Sequence, residues 1–141
     1  MSTRCNVVIK DAYTKLFFYR HSDGYPDGTM PSLRIFMDWL RNRNIRDNTG
    51  QAAGWLIVLG AMEYDSIPDY DLEGKLEGLT AAYGDKSTFQ PPKGWKCGAY
   101  EPTNGIHGDI EYLYIIDLEE KTLTCHDEWT SSSGKHVIET Y

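Results

Sequence analysis

Two short β-branched and aromatic runs, "CNVVIK" and "KLFFYRH", stand near the start of the chain with only "DAYT" between them. Runs of this length and composition predict strands, and the four-residue connection predicts a β-hairpin. The period then changes. In "MPSLRIFMDWLRNRN", Leu33, Phe36, Met37 and Leu40 recur at i, i+3, i+4 and i+7, which is one face of a helix. Pro31 is expected near the start of that helix, where a missing N–H costs nothing. A second helix is predicted from about Asn48 to Tyr64. Ala52, Trp55, Leu56, Leu59 and Met62 form its stripe, and Ile57 and Val58 widen that stripe nearly all round. A helix apolar on most faces belongs in a buried central position. Gly54 and Gly60 weaken it, and close packing against a sheet would account for both.

Between Ser66 and Pro92 the pattern is ambiguous. Leu72, Leu76 and Leu79 suit a short third helix, but Gly74 and Gly78 make it a poor one, and a long, partly irregular loop competes. Strand patterns return after "QPPKG". "WKCGAYE", "IEYLYIIDL" and "TLTCHDEW" are three candidates, the second apolar on both faces as a central strand should be. The order β-β-α-α-(α)-β-β-β predicts an α+β fold. Its mostly antiparallel sheet would combine the N-terminal hairpin with the C-terminal strands and carry two or three helices on one face. No repeat or linker divides the chain, so residues 1–141 are expected to form a single domain.

Composition narrows the functional classes. With 40% hydrophobic and 25% charged residues the chain reads as globular, and ten tyrosines bring the aromatic content to 13%. Tyrosine packs its ring while keeping its hydroxyl wet, which suits contact surfaces. The net charge of -7 argues against direct nucleic-acid binding, which needs clustered Lys and Arg. "MSTRCNVVIKD" lacks the apolar stretch of a signal peptide, and "AAGWLIVLGAM" is too short to span a bilayer. No membrane association is expected, and the host cytosol is the expected location. Cys5, Cys97 and Cys125 are odd in number and widely spaced, the pattern of reduced, buried thiols and not of a disulfide framework or structural zinc. Lys96 beside Cys97 is a weak sign of an activated thiol, because neighbours on a strand point to opposite faces.

Three of the four histidines have an acid close by: His21 with Asp23, His107 with Asp109, and His126 with Asp127. A carboxylate can orient an imidazole or share a metal with it. Were His21, Asp23, His107, Asp109 and His126 to meet at a sheet edge, they could hold a divalent ion and activate water for hydrolysis. The bland reading is that His-x-Asp arises by chance and that Asp before Gly is a turn signal. No H-E-x-x-H, C-x-x-C or EF-hand spacing supports the metal, and no nucleophile elbow or phosphate loop is present. No cofactor is expected.

Charge is unevenly distributed. Arg34, Arg41, Arg43 and Arg46 lie on or just after the first helix. Glu63, Asp65, Asp69, Asp71, Glu73 and Glu77 face a single Lys75 in the stretch beyond the second, with Tyr64, Tyr70 and Tyr83 among or near them. An acidic, tyrosine-bearing segment suits a basic protein partner, because complementary potential steers encounter and tyrosine anchors it. The plainer alternative is a solvated loop.

The segment "YRHSDGYPDG" (19–28) carries two Asp-Gly steps and reads first as a corner between sheet and helix. Gly24 is expected at positive φ, Tyr25 extended ahead of proline, and Asp27-Gly28 in a second turn. The run from Tyr19 to Pro26 also resembles the Y-x-H-x-D-G-Y-P segment of small uncharacterised proteins of bacteriophages and other mobile elements. That resemblance covers about ten residues, marks His21, Asp23 and Tyr25, and implies a mobile-element origin without any catalytic role.

These features together predict a non-enzymatic protein-binding module that inhibits by occluding a host protein or ribonucleoprotein. Host defence machinery, including CRISPR effector complexes, is the expected target class, with anti-CRISPR-like counter-defence as the action, and Glu63, Asp65, Asp69, Tyr70, Asp71, Glu73 and Glu77 are the expected contact residues. The rival reading is the metal-dependent hydrolase. A third is an accessory subunit stable only in a homo-oligomer.

Overall fold

A computed structural model describes residues 2–63, 98–126 and 135–141. The hairpin forms where the alternation places it, as β1 (Cys5–Lys10) and β2 (Lys15–Arg20). Its connection is fixed by Asp11, whose carboxylate accepts from the backbone N–H groups of Tyr13 and Thr14 at 2.7 and 2.9 Å. Thr49 adds a third bond to that carboxylate at 2.7 Å, and these contacts, led by Thr49, hold Asp11 below the usual carboxylate range.

Helix α1 (Pro26–Arg41) starts four residues before the predicted "MPSLRIF" run, so Pro31 lies inside it and not at its start. Pro26 takes the first helical position, and Tyr25, at φ -67° and ψ 159°, is the extended residue that a following proline favours. Asp27 and Gly28 are therefore the first turn of a helix, not a second bend. The left-handed residue of the corner is Asp23, at φ 58°, not Gly24. Gly24 is needed for a different reason. A Cβ there would lie 2.9 Å from the backbone of Thr3, Arg4 and Cys5.

Helix α2 (Thr49–Glu63) begins at Asn48, whose side chain accepts from Gln51 N–H at 3.2 Å. It is less enclosed than its composition predicts: Ile57 is exposed, and a Cβ at Gly54 would meet nothing within 4 Å. Gly60 does pack closely, but against residues 98–100 and not the sheet. A Cβ there would fall 2.9 Å from the Tyr100 ring. Gly54→Ala should therefore stabilise the protein by about 1 kcal/mol, the intrinsic helix preference with no steric offset. A urea-unfolding midpoint that stays put or falls would contradict an open position for Gly54.

The remaining strands are β3 (Glu101–Thr103), β4 (Tyr112–Asp117), β5 (Thr122–His126) and β6 (Lys135–Thr140). The strand predicted over "WKCGAYE" is thus displaced to Glu101–Thr103, and β6 falls where no strand was predicted. The predicted third helix around Leu72–Leu79 lies outside the described residues. All six strands join one sheet in the order β3-β2-β1-β4-β5-β6, antiparallel except for the central β1–β4 pair. The architecture is α+β with a mostly antiparallel sheet.

One face of the sheet, carrying Cys5, Val7, Ile9, Phe18, Tyr114, Ile116 and Leu123, buries against Leu33, Phe36, Met37 and Leu40 of α1 and Ala52, Leu56 and Leu59 of α2. Cys5 and Cys125 are buried thiols in this core, and burial pushes the Cys5 thiol up to about 12. Cys97 lies outside the described residues. On the opposite face Val8, Ile110 and Leu113 form a second, smaller cluster flanked by Phe17, Tyr19 and Ile115. No helix among the described residues is long and apolar enough to cross a membrane.

Candidate functional site

Among the described residues, the face opposite the helices owes its form to one connection. β3 and β4 both run parallel to β1 yet lie on opposite sides of the β1–β2 pair, so residues 104–111 must cross the sheet between them. The crossing is pinned at three points. His107 donates its backbone N–H to Asn6 Oδ1 at 2.7 Å, Glu111 N–H donates to Arg4 O at 2.9 Å, and Ile110 packs on Val8 and Leu113. Asn6 is fully buried and also donates to Phe18 O at 2.8 Å, so its amide satisfies strand and crossing at once.

Tyr19 packs beside the crossing, half-buried against the Val8, Ile110 and Leu113 cluster. Its ring stacks on that of His107, with centroids 4.2 Å apart and planes at 14°, and its hydroxyl lies 2.9 Å from His21 Nδ1. His107 Nε2 is in turn 2.8 Å from Thr103 Oγ1 on the edge strand. Burial, followed by the carboxylates of Asp109 and Glu101, pushes the Tyr19 hydroxyl above its ordinary value, so it stays protonated. Exposed Glu101, Asp109 and Glu111 rim the face on this side, with Asp109 held 3.4 Å from Arg4. A half-buried aromatic and aliphatic centre, Phe17, Tyr19 and Ile115, inside a charged rim has the anatomy of a protein–protein contact surface.

The five residues of the metal reading divide. His21 and His107 both reach Tyr19, Asp109 pairs with Arg4, Asp23 accepts from the Tyr25 hydroxyl at 3.3 Å, and His126 stands on β5, three strands from β2. No three His, Cys, Asp or Glu side chains converge as metal ligands among the described residues. Imidazole and carboxylate serve local contacts here instead.

Of the predicted contact acids, Glu63 alone falls within the described residues; Asp65, Asp69, Tyr70, Asp71, Glu73 and Glu77 lie outside them. Glu63 ends α2 and takes both terminal nitrogens of Arg20, whose side chain is 1% exposed. Arg20 also donates to Ser22 O at 2.8 Å and Gly28 O at 3.3 Å, and its guanidinium lies 5.2 Å from the Tyr100 ring centre. Ser32 gives its proton to Thr29 O at 3.1 Å, which leaves the buried Tyr100 hydroxyl to donate to Ser32 Oγ. A cleft of about 400 Å³ opens beside this network between Pro31, Ile35, Leu59 and Met62. Glu63 is thus the counter-charge of a buried arginine, and its carboxylate is already engaged by a cation of the same chain.

No protein-family model matches the chain, and no curated protein or solved structure matches it significantly.

Proposed function

We propose that the chain is a non-enzymatic protein-binding module that occludes a partner protein through the sheet face opposite α1 and α2. The observation that carries this reading is Tyr19, half-buried against the Val8, Ile110 and Leu113 cluster together with Phe17 and Ile115, with the carboxylates of Glu101 and Asp109 acting on it. Anchors of binding energy are commonly tyrosines at the middle of such patches, with the rim excluding water. The acids around it favour a partner with a basic surface, consistent with the overall charge of -7. In this proposal the partner is a host protein or ribonucleoprotein in the cytosol, and the action is counter-defence of the anti-CRISPR kind. The mobile-element origin rests on the resemblance of residues 19–26, a segment that also builds the corner into α1. The acids and tyrosine between Asp65 and Glu77 are proposed as a second, steering part of the same contact.

Affinity capture from bacterial lysates, read by mass spectrometry, tests the proposal. The wild-type chain should retain a protein or ribonucleoprotein in stoichiometric amount. Tyr19→Ala should weaken that capture at least tenfold, the loss of about 2 kcal/mol expected of a central anchor. Reversing Asp65, Asp69, Asp71, Glu73 and Glu77 to lysine should slow association and flatten its salt dependence. Circular dichroism on both variants guards against mere unfolding. If folded wild-type protein retains no partner across several host strains, the binding proposal fails.

A further inference from the structure

At the end of the sheet remote from the crossing, the chain gathers cations around a cavity of about 810 Å³ between the end of α1 and the β4–β5 turn. Arg41, Arg43, Arg46 and Lys121 line it, against Asp47 as the acid in the lining, with the half-buried Tyr141 as an aromatic wall. In a chain carrying 21 acids and 14 Lys and Arg, this is a local reversal of the overall charge. Two of the four cations are already engaged: Arg41 with Asp38 and Glu139, and Lys121 with Asp47 at 3.0 Å. Asp47 is further occupied by the Tyr141 hydroxyl at 3.0 Å. Arg43 and Arg46 pair with no acid among the described residues. Both residues line the cavity and are exposed.

A second observation is independent of charge. Among the described residues, three that are not glycine adopt positive φ, and two of them, Arg43 at 58° and Lys121 at 57°, line this cavity. Arg43 closes α1 in a Schellman arrangement. Asn44 N–H reaches Trp39 O at 2.8 Å and Arg43 N–H reaches Leu40 O at 3.2 Å, which puts Arg43 at the left-handed position that glycine ordinarily fills. Lys121 holds the left-handed place in the turn between β4 and β5, where Gly, Asn or Asp is the unstrained choice. At both positions a basic residue stands on a backbone that disfavours any side chain, and both residues line one cavity. Local strain of this kind accumulates where a side chain serves a site.

We propose that this cavity is a binding site for a phosphorylated small molecule, with Arg43 and Arg46 as the principal phosphate ligands and Arg41 and Lys121 as its cationic rim. Guanidinium forks match phosphate oxygens bidentately, and the cavity has the size of a small-ligand pocket. The phosphate could be carried by a nucleotide or be a free polyphosphate.

Isothermal titration calorimetry of the full chain at low salt, with pyrophosphate and with ATP as separate probes, is the test. The wild-type protein should bind at least one of them, more weakly as sodium chloride is raised. Tighter binding of ATP by tenfold or more would identify a nucleotide, and equal affinities a free polyphosphate. Arg46→Ala should weaken binding at least tenfold. Arg43→Gly separates site from scaffold. It should weaken binding at least tenfold while raising the melting temperature by roughly 2–4 °C, because glycine relieves the left-handed strain. Absence of binding heat from both probes at millimolar concentration would overturn the proposal, as would unchanged affinity in folded Arg43→Gly and Arg46→Ala proteins.

Discussion

Gly28→Ala will destabilise the protein by about 2 kcal/mol, although the same change in an unhindered helix is worth about 1 kcal/mol in the opposite direction. Gly28 lies in the first turn of α1, and a Cβ there would sit 2.5 Å from Asp23 O and 2.7 Å from Asp23 Cβ. Neither atom can yield. Asp23 is held at φ 58°, and its carbonyl accepts from Thr29 Oγ1 at 2.7 Å. The next residue, Gly24, is locked from both sides: its N–H donates to Thr3 O at 2.9 Å and its carbonyl accepts from the Tyr114 hydroxyl at 2.8 Å. The added methyl must therefore push the helix start away from the corner, which also strains the bond from Arg20 to Gly28 O. The melting temperature should fall by on the order of 5 °C, while Gly54→Ala, the same substitution in α2, should raise it. Comparing the two by thermal and urea unfolding isolates the contact, since propensity predicts a gain in both. An unchanged or raised midpoint for Gly28→Ala would show that the corner does not grip α1 as described.

That corner also explains what the sequence could and could not reveal. Pro26, Asp27 and Gly28 are turn formers by composition, but Pro and Asp serve equally well in the first turn of a helix. Only the contact between Gly28 and Asp23 decides between the two, and contacts of this kind are not written in local periodicity. The hairpin, the start of β4 and the buried stripe of α1 were legible because each repeats with a strand or helix period. The parallel β1–β4 pair was not, because it depends on a crossing chain whose Asn and Gly-rich sequence, "NGIHGDIE", carries no periodic signal. In "KHVIET" the charged and polar flanks around a short apolar centre hid an edge strand, the place where such residues are tolerated.

The candidate site was half legible. His21 and His107 were marked as chemically capable, and they do come together, but around Tyr19 and without a shared carboxylate or third ligand. Tyrosines with acids were anticipated beyond α2. Among the described residues that pairing appears on the sheet, where Glu101 and Asp109 reach Tyr19 from β3 and from the crossing. The buried arginine had a signal that alternation supplies. Leu16, Phe18 and Arg20 share one parity along β2, so Arg20 continues an inward-facing row and requires a carboxylate from elsewhere. That carboxylate is 43 residues away in sequence, and no spacing rule reaches it.

The second large effect follows from that pair: Glu63→Ala will destabilise the protein by about 3 kcal/mol, and by more than Arg20→Met does. The two partners differ in what each leaves behind. Arg20 is 1% exposed, and without Glu63 its guanidinium keeps the carbonyls of Ser22 and Gly28 and the face of Tyr100 but loses the carboxylate that pairs with it among the described residues, in a site water barely reaches. Removing a carboxylate from a buried, desolvated cation is the expensive half of breaking an ion pair. Glu63, with a side chain 26% exposed, can hydrate when Arg20 is removed, and methionine fills most of the arginine stem's volume. Among the described residues, Arg20→Met also sacrifices the pair of backbone acceptors and the contact with Tyr100, losses of hydrogen-bond size. Glu63→Gln should fall between the two, because the amide still accepts one guanidinium N–H without supplying the charge. Urea unfolding of the three variants should thus rank them Glu63→Ala, Glu63→Gln, Arg20→Met in order of decreasing loss. If Arg20→Met proved the most damaging, the arginine would be acting mainly through its packing on Tyr100 and its backbone acceptors, with Glu63 a minor partner. The predicted order instead makes Glu63 a structural acid that ties the end of α2 to β2.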